Sequence, residues 1–167
     1  MDIVYKARVF ATAAHAAVKH VRKYTGEPYI VHPEEVARLI ATHGGTLEQI
    51  AASLLHDTVE DTGVTLDLIE HEFGSIVSEY VYWLTDQSTS ADGNRTVRKK
   101  MDADRLALAP PAVQSIKYAD LCSNTKSITA HDHGFAKTYL QEKAYLLSVM
   151  DKGNPELYKL ALQNVIG

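Results

Sequence analysis

His56 and Asp57 stand side by side in the string L-L-H-D-T-V-E-D-T, with Glu60 and Asp61 one helical turn further on. Residues four apart share a helix face, so His56 falls under Glu60 and Asp57 under Asp61. The run just before them (Ile50, Ala51, Leu54, Leu55) has the spacing of a buried helix. Four charge-bearing groups converging at such a place are costly unless neutralised, and a divalent metal ion neutralises them directly. Two further elements offer candidate ligands: His32, which precedes Pro33, and Asp120, in K-Y-A-D-L-C-S-N. The imidazoles of His32 and His56 with the carboxylates of Asp57 and Asp120 suit a borderline or hard ion such as Mn, Fe, Co or Zn. The lack of thiolates argues against a closed structural zinc site. A bound ion of this kind lowers the pKa of water from near 16 toward roughly 7. Glu60 or Asp61 can then accept or steer the proton, a contribution of about 10²–10⁴-fold. Lys117, Asp120 and Asn124 lie at i, i+3 and i+7, so one helical stripe offers a cation, a ligand and an amide to the same pocket.

The elements that must position these groups read as helices almost throughout. Residues 3–23 are alanine-rich, with strong helix propensity. Pro33 suits a helix start, with Glu34 and Glu35 favoured in the first turn, and Gly44–Gly45 is the stop. The X-Pro bias predicts an extended His32 held just outside that helix. Another helix runs from about Leu47 into the His56-Asp57 pair. Thr65 reads as the N-cap of Leu66–Phe73, and Ile76, Val77, Tyr80, Val81 and Leu84 mark one face of the next segment. Residues 86–94 read as a polar loop, either at a site entrance or as a plain connector. Helical patterns resume over Arg95–Arg105 and Pro111–Ser127, break at H-D-H-G (131–134), continue through Tyr139 to Met150, and restart at Asn154-Pro155. No convincing strand and no internal repeat is present. The expectation is a single all-α domain over residues 1–167.

The chain has 167 residues, 46% of them apolar and 23% charged, with a formal charge of −4. That is the profile of a globular protein long enough to bury a core. The acidic balance gives no reason to expect a nucleic-acid footprint. No apolar run has the length of a membrane span and the start lacks the apolar block of a signal peptide, so neither a membrane partner nor export is expected. Cys122 is the sole cysteine, a core filler in this reading, and with no internal disulfide available a reducing cytoplasm is the expected location. His15, His20, His43, His71, His131 and His133 are assigned surface or packing roles. Tyr80, Tyr82 and Trp83 are assigned to the core or to a contact between copies, which leaves a homodimer open.

The order His…His-Asp…Asp resembles the signature of the HD phosphohydrolases. G-E-P-Y-I-V-H-P at 26–33, L-L-H-D-T-V-E-D-T at 54–62, F-G at 73–74 and K-Y-A-D-L-C-S-N-T at 117–125 narrow the likeness to the hydrolase domain of the RelA/SpoT family and its small alarmone hydrolases. That resemblance implies an HD-domain bundle of about eight or more helices. It implies hydrolysis of the 3′-diphosphate of guanosine tetra- or pentaphosphate, with Mn²⁺ as the usual single ion and Co, Fe, Zn or Mg left open. Carried over by position, His32, His56, Asp57 and Asp120 are the metal ligands, and Glu60 and Asp61 the acids that position or deprotonate water. Arg22 and Lys23 match a basic pair on the substrate, Asn124 a nucleotide-binding asparagine, and Tyr139 a tyrosine near the ribose or the 5′-phosphates. Arg22 and Lys23 also place positive charge for a polyphosphate in an otherwise acidic chain. At this length no synthetase activity is expected.

Three rival readings stand beside this one. They are the same reaction on adenosine analogues, another HD nucleotide phosphohydrolase releasing a single phosphate, and an alarmone-binding module without catalysis. The intact Glu60–Asp61 pair counts against the last, because a pure binder needs no water-activating base.

Overall fold

Short polar side chains set the helix starts. Asp2 accepts from Val4 N at 3.0 Å and opens α1 (Ile3–Ala17). Thr46 forms a reciprocal capping box with Gln49 at the start of α3 (Leu47–Leu55). Thr65 accepts from Leu68 N at 3.2 Å, as its sequence position predicted, and opens α5 (Leu66–Phe73). Each cap satisfies an N–H that has no acceptor within the helix. The remaining elements of the first half are α2 (Val31–Thr42), α4 (Thr58–Asp61) and α6 (Ser75–Leu84). Gly74, at φ +91°, ends α5 and starts α6 with no linker between them.

This computed structural model describes residues 2–167 and is all-α, and its one backbone bridge, among those residues, pairs Val21 with Pro28. The chain divides into two compact units, one ending at Thr85 and the other running Asp86–Gly167. In the first, α3 is central, packing on α1, α2 and α6. Ala7, Ala11 and His15 give α1 a buried stripe at four-residue spacing, and Ala51, Ala52, Leu54 and Leu55 of α3 are fully buried. Val77, Val81 and Leu84 form the inner face of α6, whereas Ile76 is half exposed.

The second unit holds α7 (Arg95–Leu106), α8 (Pro111–His131), α9 (His133–Val149) and α10 (Pro155–Ile166). The central element is α8, which packs on α9 and α10 and is buried on nearly every face between Val113 and Thr125. Gln114, fully buried, donates to the carbonyls of Leu106, Ala107 and Ala109 and accepts from Lys152 N at 2.7 Å. It thereby ties the end of α7 to the turn before α10. The 86–94 segment is pinned to α7 as well, because Asp102 accepts from the backbone N–H groups of Gln87 and Ser88. Two boundaries differ from expectation. The first helix stops at Ala17 instead of reaching residue 23, and the break at 131–134 shrinks to Asp132.

Gly153 lies in the turn before α10, where Tyr118 Oη donates to Met150 O at 2.7 Å and Ser115 Oγ accepts from Asn154 N at 2.8 Å. A Cβ at this position would come within 2.5 Å of Tyr118 Cε2 and 2.8 Å of the Ser115 backbone nitrogen. Gly153→Ala is therefore expected to cost about 1–3 kcal/mol by overpacking. Thermal denaturation should show a fall in Tm of about 2–4 °C for each kcal/mol in a chain of this size.

Candidate metal centre

The backbone begins to turn before Pro33. Val31 N donates to Pro28 O at 3.2 Å and His32 N to Tyr29 O at 3.1 Å. His32 consequently sits inside the first turn of α2, not extended and outside it as the X-Pro bias predicted. The proline costs no hydrogen bond there, because the first N–H groups of a helix lack intrahelical acceptors. His56 and Asp57 form the joint between α3 and α4. Both keep right-handed helical backbone angles, and Asp61 N donates to Asp57 O at 3.0 Å. The expected sharing of a face by Asp57 and Asp61 is thus preserved across the joint.

One ligand atom from each of His32, His56 and Asp57 lies within 4.8 Å of the other two. His56 Nε2 is 3.1 Å from Asp57 Oδ2, and His32 Nε2 is 3.7 Å from the same oxygen. His56 Nδ1 sits 2.6 Å from the Ser53 carbonyl, which can only accept, so this nitrogen carries the proton. In the neutral ring Nε2 is then a lone pair facing a carboxylate oxygen, at 2% residue exposure. Such a donor set fits a divalent cation, with the Nδ1–H bond to Ser53 fixing the tautomer as metal-ligating histidines require. Tyr29 Oη donates to Asp57 Oδ2 at 2.6 Å. His20 stacks on the Tyr29 ring at 3.8 Å and 18°, and His15 lies 4.5 Å from the same ring. His15 Nδ1 is 3.0 Å from His20 Nδ1, and burial followed by the His20 charge pushes the His15 pKa down to about 4.

Glu60 and Asp61 are exposed, whereas His56 is buried, so the four groups do not share one buried environment. Desolvation, and next the Asp57 charge, raise the Asp61 carboxyl above its ordinary value. Arg22 closes a small backbone loop, accepting from Gly26 N and donating to Glu27 O, each at 2.9 Å. Its guanidinium carbon is 5.9 Å from the centre of the Tyr29 ring, while Lys23 lies over Tyr24.

The second unit assembles the remaining candidates. Lys117 Nζ donates to Asp120 Oδ2 at 2.7 Å and Asn124 Nδ2 to Asp120 Oδ1 at 3.1 Å, so the helical stripe legible in the sequence is a physical cluster on α8. Asp120 is buried. Tyr139 is buried against Thr125, their hydroxyls 3.2 Å apart, and burial pushes its phenol well above the usual range. Sequence reading assigned no role to Tyr29 or to Lys143. Tyr29 stands three residues before His32 in the G-E-P-Y-I-V-H-P block, and that proximity was the available signal. The Lys143 ammonium lies 5.2 Å from the Tyr139 ring centre and lines a pocket with Lys99, Lys117 and the carboxylates of Asp86, Asp102 and Glu142.

The sequence profile of the HD domain matches residues 7–139, and the chain belongs to the HD domain family. It is 33% identical over 143 residues to guanosine-3′,5′-bis(diphosphate) 3′-pyrophosphohydrolase MESH1 of Homo sapiens, covering 81% of this chain and 78% of that protein. It is 37% identical over 132 residues to a probable GTP pyrophosphokinase of Mycobacterium leprae, of which it spans only 16% while 77% of its own length is covered. A solved structure reported as a metazoan ortholog of SpoT superposes with a TM-score of 0.87 over 98% of this chain and 94% of that one, at 20% identity, a likeness of fold.

Burial, followed by the Lys117 and Lys99 charges, lowers the Lys143 pKa from 10.5 to about 8. Between these two values the unfolded chain holds a proton that the folded chain has released, so folding stability rises with pH through that window. Lys143→Met lacks this gain. The variant is expected to melt above the parent at pH 7, with the difference shrinking as pH is raised toward 10.5, read from denaturation curves across the range.

Proposed function

We propose that this chain is a metal-dependent hydrolase that removes the 3′-pyrophosphate from guanosine 3′,5′-bis(diphosphate), giving GDP and pyrophosphate, or GTP from the pentaphosphate. The observation that carries this reading is the convergence of His32, His56 and Asp57, in a chain one-third identical to a protein named for that reaction. His32, His56 and Asp57 would hold the ion, and Asp120 keeps its sequence-based assignment as a further ligand. Mn²⁺ suits the mixed imidazole and carboxylate set. When bound, the ion supplies Lewis acidity to the phosphoryl oxygens and acidifies water.

The chain's own groups supply the rest. Glu60 and Asp61 lie at the exposed edge of the ligand pair, where a water can reach them, and the raised proton affinity of Asp61 suits a proton acceptor. Water attacks the phosphorus next to the ribose, the P–O3′ bond breaks, and the 3′ oxygen leaves as a hydroxyl. Arg22, Lys23 and Lys117 offer cations to the phosphates, and Asn124 and Tyr139 polar contacts to the nucleoside. No helix among the described residues is long and apolar enough to cross a membrane, and a cytoplasmic nucleotide pool is the expected source of substrate.

Pyrophosphate release from guanosine and adenosine 3′-diphosphate nucleotides, compared with Mn²⁺ and with EDTA, tests the reading. Mn²⁺-dependent release from the guanosine compounds is expected, with Asp61→Asn reducing kcat at least about 10²-fold, the lower range for a lost general base, and Asp57→Ala abolishing the Mn²⁺-dependent release by removing a ligand. Release from the adenosine compounds alone would move the substrate, release of single phosphate would change the reaction, and tight binding without turnover would favour the binding module.

A further inference from the structure

We infer that Tyr29 is a positioning residue of the metal centre: its hydroxyl, aimed by a ring stack with His20, holds the Asp57 carboxylate in the orientation that binds the ion. The inference rests on the metal reading of the His32–His56–Asp57 cluster. Asp57 Oδ2 is the oxygen that faces both imidazoles, and the Tyr29 hydroxyl donates to that same oxygen at 2.6 Å. A carboxylate has two equivalent oxygens and a soft terminal torsion, so a directional O–H on one of them selects which oxygen stays with the histidines. Outer partners of this kind change metal affinity by about 10–100-fold when removed.

The surroundings of Tyr29 are built to aim it. His20 covers one face of the ring at 3.8 Å and a near-parallel 18°, and the edge of His32 meets the ring at 5.9 Å. His20 reaches this position because the chain leaves α1 through Lys19 at φ +55°, with His20 N donating to His15 O at 2.9 Å. Left-handed backbone at a lysine is unfavourable, and the contacts that follow it offset the cost. The Val21–Pro28 bridge then returns the chain to Tyr29. Arg22, placed above on the substrate, lies over the same ring, so one short segment touches both the nucleotide cation and the metal ligand.

The test is Mn²⁺ binding to the metal-free 167-residue chain, followed by the electron paramagnetic resonance of free Mn²⁺, alongside steady-state kinetics. Tyr29→Phe keeps the ring and removes only the hydroxyl. It should raise the Mn²⁺ Kd by about 10–100-fold, leave KM for the nucleotide within twofold, and recover most of kcat at saturating Mn²⁺. His20→Ala should also weaken Mn²⁺, and His20→Phe, which preserves a stacked ring, should restore it. A Tyr29→Phe protein with unchanged circular dichroism that binds Mn²⁺ within twofold of the parent overturns the inference. A parent that binds Mn²⁺ with the Tyr29 dependence intact but hydrolyses none of the nucleotides supports the positioning role and overturns the proposed substrate. A parent that takes up no Mn²⁺ overturns the metal reading and this inference together.

Discussion

The convergence of His32, His56 and Asp57 is the constraint on which the rest of the first unit depends. Three groups that donate electron pairs meet within 4.8 Å, two of them on nearly fully buried imidazoles. Such a cluster is stable only if each group is oriented and its charge is met by a cation. Every nearby element serves the first condition. The Ser53 carbonyl fixes the His56 tautomer, the early turn at Pro28–Val31 places His32 inside a helix, and the Tyr29 hydroxyl holds the carboxylate. The apolar packing of α3 against α1, α2 and α6 supplies rigid walls on both sides of the α3–α4 joint that carries His56 and Asp57.

Exposure suits the proposed division between ligands and proton acceptors. The imidazoles are buried, Asp57 is half-buried, and Glu60 and Asp61 stand at the open edge. A general base needs water and a proton exit, and a ligand needs neither. In the second unit charges of both signs meet: Lys99, Lys117 and Lys143 line one pocket with Asp86, Asp102 and Glu142. Lys117 and Asn124 satisfy the two oxygens of Asp120, and desolvation with the Lys117 and Lys99 charges makes the charge of the half-buried Lys143 costly.

Much of this was legible in the sequence because local chemistry decided it. The caps at Thr65 and Asn154, the Gly44–Gly45 stop and the Lys117–Asp120–Asn124 stripe follow from neighbours a few residues away. What was not legible depended on distant partners. Helix propensity carried the first helix to residue 23, but α1 ends at Ala17, the backbone turns left-handed at Lys19, and His20 stacks on the distant ring of Tyr29. The rule for residues before proline placed His32 outside its helix, yet the turn preceding it had already set the backbone. No periodicity announces that the hydroxyl of Tyr29 reaches a carboxylate 28 residues away, nor that Lys143 comes to lie beside Lys99 and Lys117.

The central claim is that one divalent ion binds where His32, His56 and Asp57 meet. Anomalous diffraction at the manganese edge from Mn²⁺-loaded crystals tests it most directly. A single strong peak is expected about 2.0–2.6 Å from Nε2 of His32, Nε2 of His56 and a carboxylate oxygen of Asp57, the ordinary range for such bonds. A peak bound by other residues, or an empty map at this position in crystals of catalytically active protein, would contradict it.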